Sequence, residues 1–295
     1  MPATSGNLGP GFDSFGMALD LWNIFRFEVG KAWDFRLDGP EGSPMPDGAS
    51  LIAQGARAVA SLLGQDLPPL AVHATAHVPP AKGLGSSATA VLAGVLAADR
   101  LLGGGLGPRD LLRAAAGVEG HPDNVGAALL GGIVLVVKRS EGALEPVTLP
   151  VPEGVRALLV EAGGSLPTPR SRAALPERVP LEDAVFNISR ASLLTAALLL
   201  GRLDLLAEAF QDRCHQPYRA SLVPGLGHLL AAPVEAGALG AFLSGAGPAV
   251  LALVREGEEK AVARAIRSNL GERGVRVTTR LMGLSKRGAE VSGEG

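Results

Sequence analysis

Forty glycines and 22 prolines, about one residue in five, interrupt this chain of 295 residues. Glycine opens left-handed backbone conformations, and proline stops helices and sheet ladders. A chain so punctuated turns sharply and often, so it folds from many short elements. Aromatic side chains are scarce (8 Phe, 2 Trp, 1 Tyr), which leaves Ala, Leu and Val to fill the core. With 47% hydrophobic and 19% charged residues the chain is a foldable globular one. Its length allows one large domain or two small ones. The question is which glycines shape a site.

Charge and cysteine narrow the function. Twenty-seven Lys and Arg against 29 Asp and Glu give a net charge of −2. The basic excess of a nucleic-acid binder is missing. The single cysteine, Cys214, allows no disulfide within the chain, fits a reducing compartment and reads as a small buried hydrophobe. The first residues carry neither a basic region nor an apolar run, so no signal peptide is visible. The longest apolar stretch, residues 193–200, is far short of a membrane span. The expectation is a cytoplasmic protein with no membrane or nucleic-acid partner.

Periodicity predicts a mixture of strands and helices. Strands are expected over 21–29, 70–78, 133–137, 156–161, 240–243, 249–254 and 275–281. Helices are expected over 49–63, 86–102, 109–118, 181–200, 203–214, 226–232 and 258–270. His73 and His77 are four apart, but on a strand that is about 13 Å, so they belong to a half-solvated face and not to a metal site. The β-β-α-β order at the end suits helices on one face of an antiparallel sheet. The fold class is α+β, with two sub-domains sharing a cleft and a second half beginning near Pro150-Val151-Pro152.

The segment Pro79-Pro80-Ala81-Lys82-Gly83-Leu84-Gly85-Ser86-Ser87-Ala88 lies between a predicted strand and a predicted helix. Its glycines allow close backbone approach with N–H groups turned inward, and the helix adds free N–H groups and a positive dipole end. Ser86 and Ser87 supply hydroxyls and Lys82 a cation. Together they describe a phosphate cradle. It is not a dinucleotide fingerprint, because no second strand ending in an acidic residue follows about 20 residues on. Nor is it a Walker A loop, since no Gly-Lys-Ser/Thr occurs, and no Gly-x-Ser-x-Gly elbow exists.

Three more segments carry chemistry. In Pro2-Ala3-Thr4-Ser5-Gly6-Asn7-Leu8-Gly9-Pro10-Gly11-Phe12-Asp13, an amide and a carboxylate flank a rigid turn, and the carboxylate suits an ammonium group. Turn chemistry alone also explains those residues. Glu119-Gly120-His121-Pro122-Asp123-Asn124 gathers two carboxylates and an imidazole, a candidate magnesium and acceptor site or else a solvated loop. Leu243-Ser244-Gly245-Ala246-Gly247-Pro248 is a further glycine turn.

These four segments, in this order, resemble the motifs of the kinases that group galactokinase, homoserine kinase, mevalonate kinase and phosphomevalonate kinase (the GHMP superfamily), and the opening segment resembles homoserine kinases in particular. The resemblance spans positions 2–248. It implies a ribosomal-protein-S5-domain-2-like N-terminal domain over 1–150, a ferredoxin-like C-terminal domain over 151–295, and an active site in the cleft between them. It implies transfer of the ATP γ-phosphoryl group to the hydroxyl of L-homoserine, on the route to threonine, by a homodimer using Mg²⁺.

Pro80, Lys82, Gly83, Leu84, Gly85, Ser86 and Ser87 would then bind ATP phosphates, with Ser87 and Glu119 on the metal. Asp123, Asn124 and Glu119 would be catalytic. Asn7, Asp13, His121, Thr168, Arg172, Arg219 and Gly245 would bind the amino acid, with Arg170 the residue most easily confused with Arg172. The sequence departs from the family in three places. The Glu119–Asp123 gap is shorter than in many members, Ser50 stands where relatives often have Asn near the adenine, and the strand that usually precedes the opening motif is short or absent. Rival readings are a kinase for mevalonate, shikimate or a diphosphocytidyl sugar alcohol, and a non-catalytic metabolite sensor. The diphosphocytidyl enzymes usually carry a Lys where this chain has Thr4-Ser5-Gly6.

Overall fold

Glycine and proline punctuation resolves into eleven strands and ten α-helices among the described residues, 1–38, 48–139 and 142–293 of a computed structural model. The first half contains β1 (Pro2–Gly6), β2 (Phe15–Trp22), β3 (Ile24–Val29), β4 (Asp34–Asp38), α1 (Gly48–Leu63) and β5 (Leu70–Thr75). It continues with α2 (Ser86–Leu101), α3 (Pro108–Glu119), α4 (Asp123–Leu130), β6 (Ile133–Lys138) and β7 (Leu144–Leu149). The second half runs through β8 (Val155–Glu161), α5 (Thr168–Ala173), α6 (Leu181–Leu200), α7 (Leu206–Ala209), α8 (Gln216–Arg219) and α9 (Leu226–Glu235). It ends with β9 (Gly240–Leu243), β10 (Val250–Arg255), α10 (Glu259–Glu272) and β11 (Thr278–Met282).

The fold is α+β. An antiparallel sheet of order β1-β2-β6-β7 and a smaller sheet β3-β5-β4 form the first half. The second half is built on the antiparallel sheet β11-β8-β10-β9. Strands on either side of residue 150 thus fall in different sheets. One core cluster nevertheless draws Leu8, Met17 and Leu19 from the first half and Leu159, Phe242 and Leu251 from the second. The tail after β11 also returns to the first half: Asp20 N–H donates to Gly283 O at 2.9 Å and Ser285 N–H to Ala18 O at 3.0 Å.

Scarce aromatics are offset by close helix packing. A Cβ on Gly55 of α1 would meet Val91 O at 2.2 Å, and one on Gly94 of α2 would meet Ile52 O at 2.0 Å. These reciprocal glycines let α1 and α2 approach backbone to backbone, so some of the scattered glycines are packing devices and not compositional drift.

Several expected boundaries move, for identifiable reasons. The strand expected over 21–29 is two strands in different sheets, broken at buried Asn23. Its Oδ1 accepts from His77 N (2.8 Å) and Val78 N (2.9 Å) and its Nδ2 donates to Thr89 Oγ1 (2.9 Å). The same bonds end β5 at Thr75, short of the expected 78. The helix expected over 203–214 shrinks to a 3₁₀ turn (Leu203–Leu205) and α7, because the Asp212 carboxylate accepts the N–H groups of Cys214, His215 and Gln216 and starts α8 instead. α6 as a whole is long and apolar enough to cross a membrane by length and composition (mean hydropathy 1.3), unlike the shorter 193–200 run. Here it buries Asn187, Leu194, Ala197 and Leu198 within the protein. The opening motif is itself the first strand, β1.

Candidate active site

A cleft of about 820 Å³ runs between the halves, within the size range of small-ligand sites. All four motifs reach it. One wall is made of backbone. Gly83 (φ 78°) and Gly85 (φ 67°) hold the loop into α2 in the left-handed region. There is no room for more: a Cβ on Gly83 would lie 1.9 Å from Ser244 O, and one on Gly85 2.0 Å from Thr4 Oγ1. Ser244 fastens the loop by donating to Gly83 O at 2.7 Å, and its hydroxyl is 2.8 Å from Ser5 Oγ. Gly85 is the residue ahead of α2, so the first-turn N–H groups of the helix open onto the cleft.

Pro80, Gly83, Leu84, Gly85, Ser86 and Ser87 all line this wall. Lys82 does not: its ammonium is 3.2 Å from Glu161 Oε1 at the end of β8. The loop turns so that its backbone faces the cleft and the Lys82 side chain, just before Gly83, faces the second half. At the far end Ser50, Leu51 and Gln54 of α1 line the cleft, with Gln54 Nε2 donating to Ser50 Oγ at 2.9 Å.

Ser87 and Glu119 meet where the walls join. Ser87 Oγ donates to Glu119 Oε1 at 2.5 Å. Burial raises the Glu119 pKa, against the opposing pull of His121 and Ser87. A desolvated carboxyl and a hydroxyl at a helix N-terminus are hard oxygen donors beside a phosphate cradle, which fits Mg²⁺. The short Glu119–Asp123 gap does not prevent this pairing.

The opposite wall is made of side chains. α4, beginning at Asp123, was not expected, and it buries Asp123 and Asn124 instead of leaving them in a solvated loop. Asp123 Oδ1 is 2.6 Å from His121 Nδ1 and accepts from Asn124 N at 2.9 Å, while Oδ2 accepts from Asn7 N at 3.2 Å. Burial alone would raise the Asp123 pKa, but the His121 hydrogen bond and charge hold it below the usual carboxylate value. Burial would lower His121, yet Asp123 and then Glu119 push it up. Both shifts favour the charged forms.

Asp13 and Arg172 form a second pair, bidentate, with Arg172 Nη2 to Oδ1 at 2.6 Å and Nη1 to Oδ2 at 3.1 Å. Arg172 lines the cleft, and exposed Arg170 does not. One ligand atom each of Asp13, His121 and Asp123 lie within 4.8 Å of one another. With Arg172 on Asp13 and His121 on Asp123, that cluster is already charge-balanced and does not read as a metal site. Arg219 lines the same wall, and burial lowers its pKa to about 10.

Asn7 lines the cleft with its side chain already bonded. Its Nδ2 donates to Gly245 O at 2.9 Å and its Oδ1 accepts from Asp13 N at 3.0 Å. It ties the opening motif to the third motif and presents Asp13; Gly245 contributes that same carbonyl. Thr168, the first residue of α5, lines the cleft. Sequence reasoning passed over Phe12, which sits 5.5 Å from the guanidinium carbons of both Arg172 and Arg219. Its place between the glycine turn and Asp13 was the available signal.

The chain is similar to known proteins in both sequence and structure. Residues 50–132 match the model of the GHMP kinases N terminal domain and residues 194–272 that of the GHMP kinases C terminal. A homoserine kinase of Thermus thermophilus is 46% identical over 274 residues, 93% of this chain and 92% of its own. One from Moorella thermoacetica is 40% identical, covering 99% of this chain and 98% of its own. The crystal structure of homoserine kinase from Cytophaga hutchinsonii superposes with a TM-score of 0.83 at 29% identity, over 97% of this chain and 94% of that one.

Proposed function

The chain belongs to the homoserine kinase family of the GHMP kinases, and from that premise we propose that it transfers the γ-phosphoryl group of ATP to the side-chain hydroxyl of L-homoserine, giving O-phospho-L-homoserine and ADP. The observation that carries this reading is the cleft's pairing of a backbone phosphate cradle with a carboxylate and two guanidiniums, the complement of a zwitterion.

Phosphoryl transfer needs alignment and charge stabilisation more than covalent help. The N–H groups of 83–87 hold the phosphates. Ser87 and Glu119 would hold Mg²⁺, which when bound neutralises phosphate charge. Asp13 takes the amino group of homoserine, and Arg172 and Arg219 take its carboxylate, so the Asp13–Arg172 pair exchanges one neutral partnership for another. Asp123, with its pKa held down, is a weak base. It orients the acceptor hydroxyl, whose proton leaves late, as a loose transition state permits.

The proposal includes residues 1–150 as the nucleotide domain, 151–295 as the second domain, a cytoplasmic location, and a homodimer. The dimer is motivated by exposed Leu181, Val185, Ile188 and Leu199 on α6, and a solution mass of about twice the 30.0 kDa chain would support it. Superfamily kinases for mevalonate or shikimate do not call for the zwitterion-binding pairs, and a sensor does not call for Ser87, Glu119 and Asp123 together. A coupled ADP-release assay with homoserine, mevalonate, shikimate and no acceptor tests the proposal. ADP with homoserine alone is expected; ADP with another acceptor, or with none of them, overturns it.

A further inference from the structure

One fully buried imidazole has no part in the site so far. His215 precedes α8 and lies four positions before Arg219. Its two ring nitrogens face unlike partners. Nε2 is 2.7 Å from Gly9 O, which can only accept, and Nδ1 is 3.0 Å from Arg219 Nη1, which can only donate. Those partners fix both tautomer and charge. They call for a proton on Nε2 and a lone pair on Nδ1, and so for a neutral ring; Asp212 Oδ2, 3.6 Å from Nε2, faces the same proton. Burial holds its pKa down, with Arg219 acting the same way and Asp212 against.

The guanidinium across that bond is equally constrained. Nη1 carries two hydrogens: one faces His215, and the other is donated to Gly245 O at 3.1 Å. Nε is buried with no partner among the described residues. With Nη1 held by the protein, the edge that remains is Nε with Nη2, two parallel N–H donors that match a carboxylate. The Phe12 ring, 5.3 Å from the imidazole and 5.5 Å from the guanidinium carbon, closes one side of the group. Gly9 belongs to the same loop as Asp13, so one ring is tied to both the carboxylate that meets an ammonium group and the arginine that meets a carboxylate.

We propose that His215 is a positioning residue: a neutral Nε2–H imidazole that joins the opening loop to Arg219 and keeps the Nε–Nη2 edge presented to the α-carboxylate of the acceptor. The inference rests on the reading of Arg219 as a carboxylate-binding residue.

Steady-state kinetics of His215→Leu, His215→Gln, Arg219→Ala and the two double variants, each checked by thermal melt, test it. Leu keeps volume but removes both hydrogen bonds; Gln keeps one donor and one acceptor. His215→Leu should raise the KM for homoserine about tenfold or more, the effect of leaving a buried charged donor unpaired, with the KM for ATP within about twofold. His215→Gln should recover most of that loss. Either His215 change should add nothing once Arg219 is Ala. Parallel loss of both KM values and kcat without rescue by Gln, or full additivity with Arg219→Ala, overturns the proposal. If the Leu variant does not fold, His215→Ala takes its place in the same cycle with Arg219→Ala. Normal homoserine binding by Arg219→Ala would remove the underlying reading. Weakened binding by Arg219→Ala with a normal His215→Leu would remove only the positioning role.

Discussion

The two walls of the cleft solve the same problem, holding charge in place, by opposite means. The wall proposed for the phosphates is a single stretch of backbone, 80–87, whose N–H groups are fixed by two left-handed glycines and a helix N-terminus. The proposed acceptor wall is assembled from side chains on the loop after β1, the 119–124 segment, α5 and α8, already paired as His121–Asp123 and Asp13–Arg172. Phosphates bring diffuse negative charge to fixed dipoles. A zwitterion brings two signs, which a pre-neutralised set of side chains can receive without a net buried charge. The phosphate wall should therefore be vulnerable to backbone changes, and the acceptor wall to single side chains.

The largest expected effect is on the acceptor side. Asp123→Ala should lower kcat by about 10² or more, since it removes the hydroxyl's partner and leaves His121 and Asn7 N–H without theirs. Near-normal single-turnover rates would take Asp123 out of the mechanism. Next, Gly83→Ala forces a Cβ against Ser244 O at 1.9 Å and strains a positive φ. A loss of about 1–3 kcal/mol in stability, with ATP affinity falling ahead of homoserine affinity, is expected by denaturant melts and calorimetric binding. Equal loss for both ligands would erase the distinction between the walls.

A smaller effect concerns pH. The folded pKa of His121 is raised, so its ion pair stabilises fully below the unfolded value near 6.5 and is lost as pH rises through the higher folded value. That of Asp123 is lowered, so its share holds above its unfolded value and disappears only as pH falls through the lower one. The melting temperature of the parent relative to His121→Gln should therefore shrink by a few degrees from mildly acidic to alkaline pH; a constant difference would deny the charged pair. Smallest of all, Lys82→Ala should cost below about 1 kcal/mol and leave the KM for ATP unchanged, because its partly exposed ammonium faces Glu161. A large rise in that KM would return Lys82 to the phosphates.

The same contrast decides how much could be read before the structure. Gly83–Ser87 is local: spacing and loop position lie within one segment, so its approach to the cleft was legible, while the direction of the Lys82 side chain was not. The acceptor wall joins residues far apart in the chain. Arg172 was singled out over Arg170 only by the resemblance, because the six-residue helix α5 has no amphipathic signal long enough to give its phase. His215 became visible only through Gly9, brought to it by the fold. Asn23 likewise divides an apparently continuous strand because its partners are at 77 and 78. The helix α6 and strand β9 were legible to the residue, since their periodic or apolar patterns have clear proline, glycine or turn boundaries.

The claim that the acceptor wall recognises both charged ends of an amino acid is open to one direct comparison: kcat/KM for L-homoserine against 3-aminopropan-1-ol, which lacks the carboxylate, and 4-hydroxybutyrate, which lacks the amine. All three present the same primary hydroxyl. A fall of about 100-fold or more for each analogue is predicted, because each leaves Arg172 and Arg219, or Asp13, without its partner. Turnover of either analogue within about threefold of homoserine would contradict the account.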